Sequence, residues 1–208
     1  MQDNSFIKII HIMKVNMWAI IISILVVYIC YKLYSESDFM HLKCAVSDVD
    51  GNSYCVRERE SFDSAVDLLA HNTQKMKALV QSMAKDHPNN PNVKRLVSGF
   101  NPQKIVETLP TSEHTAYSEN KGEKLAFCLN AEQDDNKNLI DANTLFFVSA
   151  HEMAHIATKS IGHTPEFWDN FKFILENAVA QKLYKPVDYS QKPKSYCGME
   201  ITDSPLFT

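Results

Sequence analysis

The sequence predicts an α+β protein, a small sheet packed with helices, preceded by one apolar helix of membrane-spanning length. Three observations predict this. A strand-type alternation at Leu125, Phe127 and Leu129 sits in a chain otherwise marked by stripes of helical period. No charge occurs between Lys14 and Lys32. The run His151-Glu152-Met153-Ala154-His155, an H-E-x-x-H pattern, falls inside a helical stretch. At 208 residues, 45% hydrophobic and 22% charged, the chain accommodates one main domain with attachments. A formal net charge of −4 gives no general basic footprint, so nucleic acid is not an expected partner. Neither G-x-G-x-x-G nor G-x-x-x-x-G-K-[ST] occurs, which removes the common phosphate-cradling loops.

Residues 1–14 read as an N-terminal tail and 15–34 as a transmembrane anchor. Val15 to Tyr31 is apolar all round, where a buried core helix would show a polar stripe. Trp18 lies near one end and Tyr28, Tyr31 and Tyr34 near the other, as interfacial aromatics do. The bulky Tyr31-Lys32-Leu33-Tyr34 is no signal-peptidase site, so an uncleaved single-pass membrane protein is expected. Lys8 and Lys14 before the anchor nearly balance Lys32 and Lys43 after it, which leaves the side of the membrane open.

Residues 35–60 predict a juxtamembrane β-hairpin with arms Leu42–Val46 and Ser53–Arg57 about Asp50-Gly51-Asn52. Such a hairpin could bring Cys44 and Cys55 together, and free thiols fit equally. Cys128 and Cys197 complete an even set outside the anchor, and no C-x-x-C occurs. Residues 61–110 form a helical part. Ser61 is a reasonable N-cap for a stripe of Phe62, Val66, Leu69, Met76, Leu79, Val80 and Met83. The helix stops at His87-Pro88-Asn89-Asn90-Pro91, and a shorter helical or irregular stretch follows.

Residues 111–186 form the core that carries the motif. A polar stretch to Gly122 precedes the strand Leu125–Leu129. After a polar loop, Asp141 or Asn143 caps the motif helix, which runs to about Lys159. Gly162 suits a left-handed exit, and Thr164-Pro165 starts a helix carrying Phe167, Trp168, Phe171, Ile174, Leu175 and Ala178. Residues 187–208 read as a C-terminal tail.

In a helix, His151 and His155 share one face a turn apart and can hold one small cation, with the Glu152 carboxylate beside it. Catalytic zinc takes three protein ligands and keeps one position open. His163 follows the helix-ending glycine and precedes a new helix, so the chain reversal can return it to the metal. Glu176 is the alternative third ligand, although its neighbours Lys172 and Asp169 mark an outward face; Glu166 reads as a first-turn surface acid.

His151–His155 followed by Gly162-His163-x-x-x-Phe167-Trp168 resembles the WLM/SprT-like zinc metallopeptidases, over roughly residues 117–183. It is also similar to membrane-anchored metallopeptidases of large DNA viruses. The seven residues between His155 and His163 make a longer spacer than is typical of WLM proteins. Thr158 stands where a metzincin would carry glycine. The resemblance implies a minimal zincin fold, with a small antiparallel or mixed sheet, an active-site helix and a following helix. It also implies an edge strand bordering the cleft, to which Leu125–Leu129 would correspond. The implied activity is peptide hydrolysis on a protein or peptide substrate. His151, His155 and His163 would hold one Zn²⁺ and Glu152 would act as base, while residues 15–34 sit in a lipid bilayer. Tyr184, Tyr189 and Tyr196 are candidates to assist, and Asp141 to orient a ligand histidine. The alternatives are a catalytically inactive zincin-like membrane interaction protein, or a WLM-type protease acting on nucleic-acid-associated proteins.

Overall fold

The computed structural model describes residues 3–35, 41–132 and 138–207. The chain divides into two compact units, 1–41 and 42–208, each taken by itself below. The tail expected at 1–14 lies in part outside the described residues, and in the first unit Asp3–Ser35 is one helix, α1. Within it Met17–Tyr34 is long and apolar enough to cross a membrane by length and composition. Its side chains from Met17 to Tyr34 are all exposed, as expected of a helix with no polar stripe.

The second unit opens with the hairpin, β1 (Leu42–Val46) and β2 (Ser53–Arg57), antiparallel, with Cys44 opposite Cys55. Gly51 supplies the positive φ of the turn, and Asp50 accepts hydrogen bonds from the Asn52 amide and the Tyr54 hydroxyl. The Cys44–Cys55 disulfide joins directly paired residues. The hairpin is fixed to the rest by a buried charge cluster. Arg59 pairs with Glu107, and the other Glu107 oxygen accepts from the Arg57 amide at 2.7 Å. Each of these groups is deeply buried, so breaking the cluster on one side would strand a charge.

Helix α2 (Phe62–Asp86) buries the predicted stripe from Val66 to Met83 and leaves Phe62 partly buried, and the Ser61 side chain makes no cap hydrogen bond. Asn90 caps the short α3 (Pro91–Gly99) instead, accepting from the Asn92 and Val93 amides. The sheet follows: β3 (Ile105–Glu107), β4 (Ala116–Glu119) and β5 (Lys124–Phe127) in the order β3-β5-β4. β3 is parallel to β5 and β4 antiparallel to it. The strand expected at the cleft edge, Leu125–Leu129, is therefore the central one. Its residues Leu125, Ala126 and Phe127 are fully buried, as a strand flanked on both sides requires. The edge strand bordering the cleft is β4, in the stretch read from the sequence only as polar.

Helix α4 (Ala142–Ala157) is the hub. Asp141 caps it, accepting from the Asn143 and Thr144 amides. Of its 16 residues, 12 are buried, so past its first turn only His151 and His155 break the apolar wrapping. Helix α5 (Pro165–Ala180), capped by Thr164 with Pro165 in its first turn, packs against α4 through Phe147 and Phe171. Burial of one such side chain contributes about 1.5–3 kcal/mol.

The expected tail is instead integrated. β6 (Lys194–Tyr196) and β7 (Met199–Ile201) form a hairpin whose two turn residues, Cys197 and Gly198, both have positive φ. That is the turn whose twist suits a two-residue hairpin. The turn docks on the end of β5 through Cys197 N to Asn130 O, Gly198 N to Ala131 O and a Cys128–Cys197 disulfide. Tyr189 and Tyr196 are buried completely or nearly so.

Candidate metal centre

The α4 helix places His151 and His155 one turn apart with their Nε2 atoms 3.2 Å apart. After Thr158 the chain turns back, Gly162 takes φ +83, and His163 Nε2 comes to 3.0 Å from that of His151. Ligand atoms of the three lie within 4.8 Å of one another. A tetrahedral zinc site with Zn–N of about 2.0–2.1 Å has ligand edges of roughly 3.3 Å, so the spacing and donor chemistry fit that ion. Mutual hydrogen bonding explains the trio less well, because the one His151 Nε2 approaches both neighbours and a neutral ring nitrogen either donates or accepts.

Packing holds the rings. Phe167, fully buried, lies 4.8, 4.4 and 4.7 Å from the ring centres of His151, His155 and His163. Burial and the neighbouring rings hold His151 down at about 3. Burial, His163 and Lys121 hold His155 at about 4. Both imidazoles therefore keep their lone pairs free at neutral pH, the form that binds metal. Glu152 is 5% exposed, and burial pushes its carboxyl up to about 7.

The histidines and Glu152 open into a cleft of 640 Å³, bordered by Ala116, Tyr117 and Ser118 of edge strand β4 and by Ile161 and Gly162 of the turn. Of the other candidates, Glu176 is exposed on α5 and stands outside the histidine cluster. Asp141 is used as the α4 cap and holds no histidine. Tyr184 and Tyr189 pack on Phe147 in the core. Tyr196 lies near Glu152, but its hydroxyl donates to Thr115 O at 3.2 Å.

Two supports were not read from the sequence. Lys121 Nζ donates to the carbonyls of His155, Thr158 and Ser160 at 2.9, 2.9 and 3.0 Å. Arg95 Nε donates to Ala157 O at 2.7 Å. Two cations thus satisfy the orphan carbonyls at the negative end of α4. Glu166 accepts from the Lys159 and Ser160 amides and the Ser160 hydroxyl, bracing the turn that carries His163. The β4–β5 turn brings Lys121 into place through a close approach of two glycines. A Cβ on Gly99 would meet Lys121 O, and one on Gly122 would lie 2.8 Å from Ile156 of α4.

No family model matches the chain. An uncharacterized protein of Acanthamoeba polyphaga mimivirus is 25% identical over 186 residues, covering 88% of this chain and 91% of its own length. An uncharacterized protein of Invertebrate iridescent virus 6 is 30% identical over 105 residues, 49% of this chain and 56% of that protein. Among solved structures, Wss1 from Saccharomyces cerevisiae superposes with a TM-score of 0.47 at 16% identity, covering 62% of this chain and 88% of that one. Wss1 from S. pombe gives a TM-score of 0.38 at 16% identity, over 59% of this chain and 87% of that one. The chain is thus similar to a viral protein over most of both lengths.

Proposed function

We propose that this chain is a membrane-anchored, zinc-dependent peptidase, with residues 15–34 in the bilayer and peptide bonds of a protein substrate hydrolysed at the histidine trio. The observation that carries the reading is the convergence of three imidazole nitrogens beside a buried carboxyl, in a cleft bordered by an edge strand. His151, His155 and His163 would hold the ion, and Glu152 is the base. When bound, zinc supplies Lewis-acid activation of a water and of the scissile carbonyl.

The chain's own residues do the rest. An extended peptide pairs with edge strand β4, which fixes the scissile bond across the cleft. Glu152 takes a proton from the attacking water and returns it to the leaving amine, a task for a carboxyl poised near neutrality. Phe167 keeps the histidine rings from turning away. The core wall behind Glu152 excludes bulk water, which strengthens each of these interactions.

Zinc analysis of the full chain in detergent tests the reading, with proteolysis assayed alongside. Glu152→Gln should keep stoichiometric zinc and lose at least about 100-fold in rate. His163→Ala should lose zinc affinity. A wild-type protein that takes up no zinc would end this reading.

A further inference from the structure

A second cavity, of 300 Å³, shares Ala116, His151 and Glu152 with the metal cleft. Its walls are apolar. Phe147, Val148 and Phe171 come from α4 and α5, and Tyr196 and Ile201 from the C-terminal hairpin. Its mouth is different. Glu200 and Asp203 are exposed there, no lysine or arginine lines the cavity, and among the described residues neither acid forms an ion pair. The larger cleft has the opposite character beyond the metal trio, with His114, Asn120 and Lys121 along its border.

We propose that this cavity is a side-chain subsite that selects a large apolar residue beside the scissile bond, with a basic residue two positions further along the substrate. The inference rests on the peptidase reading. Both cavities touch Ala116 of β4, so a peptide paired with that edge runs past both. Successive side chains of an extended peptide alternate. With its scissile bond at His151 and Glu152, the adjacent side chain enters the smaller cavity. Aromatic and aliphatic walls reward a phenylalanine or leucine there, and a buried acid would find no partner. The next side chain points away, and the one after it returns to this face at the mouth, where the Glu200 and Asp203 carboxylates favour lysine or arginine.

The test uses the full chain in detergent micelles and peptides that differ only at these two positions. With zinc added, peptides carrying phenylalanine or leucine should be cut at least about tenfold faster than those carrying alanine. Lysine two positions on should be favoured over glutamate, and Glu200→Lys with Asp203→Lys should reverse that order. Ile201→Trp, which fills the cavity, should shift the preference to alanine. Binding is read separately on metal-free Trp18→Phe protein through Trp168, which lines the cavity. The phenylalanine-lysine peptide should change its fluorescence and the alanine-glutamate peptide should not. If all peptides are cut and bound equally, and the surface charge variant changes nothing, the subsite is overturned while the peptidase reading stands. If no peptide is cut with zinc but selective binding persists, the peptidase reading fails and the subsite stands as a binding site.

Discussion

At the scale of single residues, one cause moves Glu152 and its histidine neighbours in opposite directions. Burial disfavours charge, so His151 and His155 fall from 6.5 to about 3 and about 4, while Glu152 rises from 4.5 to about 7. In the metal-free chain this has a signed consequence. As pH falls from 6.5 toward 4, the unfolded chain binds protons at two histidines that the folded chain refuses, so stability falls. Between 4.5 and 7 the folded chain holds a Glu152 proton that the unfolded chain has released, so stability rises on acidification. Two groups oppose one, and acid destabilises. Glu152→Gln removes the opposing contribution, so its loss of stability between pH 6.5 and 5 should be steeper than that of wild type. Urea midpoints of both metal-free proteins at several pH values check this; parallel profiles would mean that Glu152 is ionised throughout. The three residues behind this behaviour were legible because H-E-x-x-H encodes its geometry within one helical turn. His163 was legible through its glycine and proline punctuation. Lys121 was not, since its partners are backbone carbonyls 34 to 39 positions away and carry no side-chain signature.

At the scale of elements, the end of α4 is where the site is made stiff. The last carbonyls of that helix and the first of the His163 turn share one ammonium group, so the helix and the turn cannot move apart without releasing it. Lys121→Met should cost about 1–2 kcal/mol of stability, and lower zinc affinity by roughly tenfold through loss of ligand orientation. Urea titration and a competing chelator measure the two; unchanged zinc affinity would show that Glu166 and Arg95 hold the turn alone. The helices were readable as elements because each buries a long stripe. The short strands were not. β4 has four residues of intermediate or full exposure and no clean alternation, and its role as the cleft edge appears only once β3 takes the far side of β5. The C-terminal hairpin hid for a related reason. Its strands have three residues each, and its turn is Cys197-Gly198 rather than a recognisable Asn-Gly.

At the scale of the molecule, the cleft is assembled from segments far apart in sequence, and one long-range bridge braces the wall beside it. Cys128–Cys197 spans 69 residues and pins the C-terminal hairpin, a wall of the smaller cavity, to the sheet. On the loop-entropy account it contributes about 4 kcal/mol. Cys197→Ser should lose roughly that amount in a urea titration of the full chain, and a loss under about 1 kcal/mol would mean that packing of Tyr196 and Tyr189 suffices. For the first unit, the full chain should stay with membranes through an alkaline carbonate wash, and a protein lacking residues 15–34 should be released by it. Cys44–Cys55 and Cys128–Cys197 also bear on a matter the flanking lysines leave balanced. Such bonds persist in oxidising compartments and are rare where glutathione keeps thiols reduced. Under the proposed single crossing of a bilayer, they would put Leu42 to Thr208 on the lumenal or external side and the N-terminus on the cytosolic side. Substrate would then be met by this protein only after it, too, had left the reducing space.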